Sequence, residues 1–194
     1  ARRMTYSDIR VAQPYVARTY LAPERNLGDQ SVPAALTLLA EILGGGQTSI
    51  LTQKLQFDAQ TAVYTTAFYG ATAFDDANFG FVIVPSEGVS LEDAEAALDQ
   101  VIVEFFKEGI DSEKLGRLKR QFKASEIYAR DNVQGLANGY GAALTSGLAL
   151  ADIHAWPDIV QAVTQEDIVA AAKLVFKEET SVTGWLMKAE EESK

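Results

Sequence analysis

The sequence predicts an α+β fold, an antiparallel β-sheet with helices packed on one face. Three observations point there. Strand-like and helix-like segments come in groups instead of alternating one for one, which argues against a doubly wound parallel sheet. Two β-rich runs, 61–73 and 79–84, flank a short acidic turn and so read as an antiparallel hairpin. From Ser90 onward the pattern is helical until a last β-branched run at 180–187.

The first strand signal is 9–21, rich in β-branched and aromatic residues. It reads as one strand, or as two short ones broken at Pro14, and Pro14 argues for an edge or a strand start. Ser31 is placed to cap a helix with Pro33 in its first turn and Leu36, Leu39, Ala40 and Leu43 at helical spacing. Gly44-Gly45-Gly46 ends it, and Thr48 or Ser49 caps a second helix reaching about Phe57. After the hairpin, Ser90 and Asp93 resemble a capping box for a helix whose apolar face runs from Ala94 to Phe106 and which stops at Gly109. Asp111 opens a long helix to Tyr128, and a small-residue helix follows from Asp131 to Gly147. Residues 151–162 read as helix despite Pro157, and Thr164 begins the next helix, to about Phe176. The tail from Lys188 is charged and expected to fray.

The 194 residues suit one domain, 1–194, and a chain of this length buries roughly 70% of its unfolded surface. With no Cys, this chain supplies no disulfide, thiolate metal site or Cys nucleophile. Its single His, His154, rules out any two-His metal site built from this chain alone. A net charge of −10 disfavours nucleic acid and anionic membranes as partners. No apolar run is long enough to span a bilayer. Ala1 reads as a cut end, of a processed protein or of a domain from a longer one. The cysteine-free composition suits an exported and a cytosolic protein equally.

Few residues form a recognisable constellation. The Gly44–Ser49 run has the look of a phosphate cradle, but it lacks the P-loop Lys and follows a helix where a strand is required, so it reads as a helix–helix turn. His154 has only Asp152 and Asp158 nearby in sequence and reads as structural. Glu92, Asp93 and Glu95, and Glu190, Glu191 and Glu192, are charge runs assigned to solvated faces. Ser49, Ser86 and Ser146 lack a nucleophile-elbow context. From the residues themselves, no catalytic site emerges.

Six segments in order nonetheless resemble one family. They are Glu41–Leu51 around the triple glycine, Gln60–Tyr64, Gly109–Leu115, Tyr128–Asn132, Ala162–Ile168 and Ser181–Leu186. Together they are similar to the C-terminal, inactive-type domain of the insulinase/pitrilysin zinc metallopeptidases, near the bacterial processing-peptidase branch. The resemblance runs from about Arg10 to Leu186. It implies a metallohydrolase domain of the processing-peptidase type, forming the C-terminal half of a longer two-domain chain.

The resemblance also implies a division of labour. Zinc in the family is held by an inverted His-x-x-Glu-His motif and a distal Glu in the N-terminal domain, and that motif is absent here. The chain is therefore expected to bind no metal and to have no catalytic residue. It is expected to form chamber wall and peptide contacts beside a zinc-bearing N-terminal domain or subunit. An acidic wall would favour basic peptides. C-terminal domains of the family can add an Arg and, seven positions later, a Tyr that hold substrate. Tyr64 matches the Tyr, Phe57 stands at the Arg position, and Ile50 replaces the Arg of the glycine turn. Phe57 cannot donate a hydrogen bond, so Tyr64 remains as the one substrate-binding candidate, with a core position for its ring as the other reading. A structural subunit with no proteolytic role, a homodimer, and a stand-alone acidic binding domain are the other possibilities.

Overall fold

Strands occupy Arg2–Asp8 (β1), Tyr15–Ala22 (β2), Ala62–Tyr69 (β3), Ala77–Pro85 (β4) and Ser181–Lys188 (β5) in the computed structural model, which describes residues 1–189. They form one sheet in the order β1-β5-β2-β4-β3. The β5–β2, β2–β4 and β4–β3 pairings are antiparallel, whereas β1 joins β5 in parallel. The first strand therefore lies at 2–8 and the second at 15–22, so the 9–21 signal divides differently from the sequence expectation. Residues 9–14 form the turn between them. The run Glu190–Glu192 lies outside the described residues.

Among the described residues there are six α-helices: α1 (Ser31–Gly44), between β2 and β3, and α2 (Leu91–Glu108), α3 (Ser112–Ala129), α4 (Val133–Thr145), α5 (Leu150–Ala162) and α6 (Gln165–Val175), between β4 and β5. Their starts show why the sequence breaks where it does. The Ser90 hydroxyl accepts from the Asp93 N–H at 3.0 Å, and Asp111 accepts from the Glu113 N–H at 3.0 Å. Thr164 accepts from the Asp167 N–H while Asp167 accepts from the Thr164 N–H, a reciprocal cap. The α1 cap differs from expectation: Gln30 occupies the cap position and Ser31 is the first helical residue, its N–H satisfied by Asp29. The second predicted helix is also different in kind, because Thr52–Asp58 winds as a π-helix.

α1 is the centre of the fold. Leu36, Leu38, Leu39, Ile42 and Leu43 are all fully buried, so the helix is apolar almost all round, as one enclosed on every side must be. It lies between β3 on one side and α3, α5 and α6 on the other. Against it the sheet presents Val16, Tyr20, Phe79, Phe81 and Ile83. Phe176, just beyond α6, meets Tyr20, Phe79 and Phe81 with ring centroids 5.1–5.4 Å apart.

Because paired residues share a face, the register separates the two sides of the sheet. Val16, Arg18, Tyr20, Phe79, Phe81, Ile83, Thr65 and Ala67 point to the helices. Among the described residues, the opposite face carries no helix. Among the described residues, no helix is long and apolar enough to cross a membrane.

Candidate functional site

Tyr64 lies on the helix-free face. It pairs with Val84 across β3–β4, and Thr66 and Phe68 follow it on the same side opposite Val82 and Gly80. Its side chain is 52% exposed, which excludes the core position. Across the sheet this face continues with exposed Leu21 of β2, Val182 of β5, and Met4 and Tyr6 of β1. The result is an open apolar surface with aromatic hydroxyls at both ends.

The Phe57 side chain is 53% exposed at the end of the π-helical turn. A polar chain fixes that turn on β3. The Ser49 hydroxyl donates to Thr52 at 2.9 Å, Thr52 and Thr65 are 3.3 Å apart, and Gln56 donates to Thr65 at 2.8 Å. Thr65 points to the helix side while its neighbour Tyr64 points away, so this network sets where Phe57 and Tyr64 emerge. Wide helical turns recur at functional sites. Gln60, just past it, has φ 54°, an uncommon value for a non-glycine residue. Ile50 is half-buried where the family turn carries Arg.

The remaining sequence candidates separate cleanly. Gly44 abuts the β3 backbone at Ala67, leaving no room for a Cβ, and Gly46 takes φ 92°. The glycine run is thus a close helix–strand contact followed by a turn. His154 sits on α5 and reaches the Tyr140 hydroxyl of α4 at 3.1 Å, joining two helices. Ser49 is committed to Thr52, and Ser146 donates to the Ala143 carbonyl at 2.9 Å. Among the described residues, no three His, Asp or Glu side chains converge to hold a metal ion. The donor set does not fit a zinc centre.

One cluster escaped the sequence reading. Glu95, assigned to a solvated face, is only 5% exposed. Its carboxylate accepts from Arg18 at 2.7 Å, Arg3 at 2.8 Å and the Trp185 indole at 2.8 Å. Arg18 also donates to Thr183 at 3.1 Å and pairs with Asp99. Arg3, Arg18, Glu95, Asp99 and Thr183 line a cavity of about 560 Å³ between α2 and the sheet. Burial opposes the Glu95 charge, but the donors from Arg3, Arg18 and Trp185 outweigh it and hold its pKa below the usual carboxylate value. Burial likewise opposes the Arg18 charge, and its bond to Asp99 heads the contacts that raise its pKa overall. Every charge is paired, so the arrangement clamps α2 to β1, β2 and β5. The signal available in sequence was Glu95 at helical spacing with the apolar Leu91, Leu98 and Ile102, among which an unpaired carboxylate would not be stable.

Comparison with known proteins follows the same lines. A family model described as the peptidase M16 inactive domain matches residues 2–122. A search among curated proteins finds no match. Among solved structures, a protease from Helicobacter pylori is 21% identical with a TM-score of 0.87, over 96% of this chain and 44% of that one. A peptidase M16 inactive domain from Pseudomonas fluorescens is 17% identical, TM-score 0.73, over 100% of this chain and 44% of that one. The first half of a periplasmic protease from Escherichia coli is 15% identical, TM-score 0.79, over 96% and 42%. At these identities the likeness is one of fold. The chain spans less than half the length of each of these three.

Proposed function

This chain belongs to the peptidase M16 inactive-domain family, and from that premise we propose that it serves as the non-catalytic domain of a zinc-dependent endopeptidase. In this reading the zinc sits in an N-terminal domain or partner subunit of the same family, and this chain supplies chamber wall and peptide contacts. What carries the reading is the helix-free sheet face: Tyr64, Phe68, Leu21, Met4 and Tyr6 are exposed together, the chemistry of a surface that covers or is covered by another chain. Tyr64 is the contact closest to the family pattern. Its hydroxyl can donate to a peptide carbonyl, and its ring offers an apolar wall.

Phe57 favours a second reading. Where the family pattern has an Arg, this chain has an exposed apolar ring that can neither donate to nor neutralise an oxyanion. A non-catalytic subunit, retaining the fold without a proteolytic role, would have that composition. The two readings part on one experiment. The complete polypeptide, or this chain reconstituted with its zinc-bearing partner, is assayed on a peptide library with and without chelator, alongside Tyr64→Phe and Tyr64→Ala. The peptidase reading expects chelator-sensitive cleavage. It also expects Tyr64→Ala to raise KM by about threefold to tenfold with kcat little changed, as for loss of uniform binding. Unchanged KM in Tyr64→Ala would remove Tyr64 from the site. Absence of cleavage by any zinc-bearing assembly would leave the structural subunit.

A further inference from the structure

Between the end of β4 and the start of α2 the chain runs Ser86-Glu87-Gly88-Val89-Ser90. This connection is held at three points. The Ser86 N–H donates to the Thr61 carbonyl at 3.0 Å, and the Val89 N–H closes a turn onto the Ser86 carbonyl at 3.1 Å. Ser90 then caps α2. The turn and the first turn of α2 each present one exposed carboxylate, Glu87 and Glu92. Glu92 also complements the positive end of the helix dipole. Neither carboxylate forms an ion pair among the described residues.

Both carboxylates line a cavity of about 470 Å³, together with Pro14, Pro85, Trp185 and Met187. Its size is that of a small-molecule site. Trp185 and Met187 are alternate residues of β5, so they share the helix side of the sheet. The Trp185 ring is already held in place. Its indole N–H donates to Glu95 at 2.8 Å, and the Arg3 guanidinium lies 5.1 Å from its centre. Arg3 is in turn bound to Glu95 at 2.8 Å, so its charge is met within the fold. The cavity thus joins a fixed indole, an apolar wall and two carboxylates that have no cation of their own among the described residues.

We propose that this cavity binds an arginine side chain carried by an extended peptide segment. The aliphatic stem of the arginine packs on Pro14, Pro85 and Met187. Its guanidinium stacks on the Trp185 indole and faces Glu87 and Glu92. A planar, weakly hydrated guanidinium suits this combination better than an ammonium, because it stacks on an indole while its edge meets carboxylates. An anionic group is repelled by both carboxylates, and the net charge of −10 draws cations to the whole surface. A neutral apolar side chain would crowd two carboxylates and give them no partner. The held ring and the fixed turn need little ordering on binding, which favours affinity. The Glu87 and Gly88 N–H groups make no hydrogen bond among the described residues, which leaves donors beside the cavity for a peptide backbone. The proposal concerns this end of the helix side of the sheet, not Tyr64, and stands apart from the peptidase reading.

Titration of the full chain with a blocked tripeptide centred on arginine tests it, followed by NMR at the Trp185 indole N–H. Trp156→Phe identifies that signal, because the chain has only two tryptophans. The comparison ligands are the same tripeptide centred on citrulline, which keeps the shape and removes the charge, and free L-arginine. The arginine peptide is expected to shift the Trp185 signal saturably and to bind about fivefold or more tighter than the citrulline peptide. Its binding is expected to weaken as salt is raised to about 0.5 M. Free L-arginine, which brings its own carboxylate, is expected to bind more weakly. Glu87→Gln/Glu92→Gln is expected to bring the arginine peptide down to the citrulline level. Met187→Lys, which puts a fixed cation at the cavity, is expected to abolish binding. Circular dichroism checks the fold of each variant. No shift at Trp185 with about 10 mM arginine peptide overturns the proposal. So do equal affinities for the arginine and citrulline peptides, or a double Gln variant that binds like wild type. Free L-arginine binding as tightly as the peptide overturns the peptide as occupant.

Discussion

Gly44 shows how much a single side chain can be worth where none fits. It lies where α1 meets β3, and a methyl there would collide with the Ala67 backbone. Neither partner is a flexible side-chain end that can swing away. Gly44→Ala is therefore expected to cost at least about 2 kcal/mol, measured by urea unfolding. Gly139→Ala is the control. Its Cβ would meet open space within α4, and Ala is the better helix former, so a gain of up to about 1 kcal/mol is expected. Equal effects at the two positions would refute the close-contact account. The Glu95 cluster makes a second residue-level prediction, this time in pH. Its folded pKa lies below the ordinary 4.5, so its contribution is complete above that value and fades as pH falls toward the folded pKa. Glu95→Gln should lose about 2 kcal/mol at pH 7, where the charged hydrogen bonds are intact. The gap to wild type should narrow below about pH 4 as wild type itself loses the charge. A gap constant from neutral to acid pH would mean that Glu95 acts by packing alone.

At the scale of elements, what could be read in the sequence was what local chemistry decides. Ser90 and Thr164 cap α2 and α6 because their hydroxyls satisfy N–H groups three residues on. α1 was legible through its apolar spacing, and the hairpin through its turn. β1 was not. Its residues Arg2–Tyr6 are all exposed at the sheet edge, so no alternation of buried and exposed positions marks them. The strand exists because β5 offers it a backbone partner, a pairing between opposite ends of the chain. The π-helix was equally hidden, since Thr52–Asp58 carries an ordinary helical composition. The Ser49–Thr52–Thr65–Gln56 chain that holds it on β3 joins residues far enough apart in sequence to leave no local signature. The candidate site shares that divide. Tyr64 could be named only through a family resemblance, because an exposed tyrosine on a strand has no spacing signature of its own. The Arg18–Glu95 pair, separated by 77 positions in sequence, had none either.

The whole molecule is organised around one buried helix, and stability should be distributed accordingly. α1, with the facing residues of β2 and β4, is enclosed on all sides, so its amides can exchange with solvent only when the core opens. α4 is the contrary case: Ala143 is its only buried residue, and its principal neighbour is α5, to which Tyr140 holds through His154. α4 can therefore open without exposing the core. Native-state hydrogen exchange should show α1, β2 and β4 protected to the global unfolding free energy. α4 should exchange through local opening several kcal/mol cheaper, on the order of a hundredfold or more faster. Urea should still unfold the chain in one transition, since a single core leaves no second unit to melt separately. Uniform protection across α1 and α4 would contradict this hierarchy, because an exposed helix with one buried residue cannot share the global barrier unless another surface covers it.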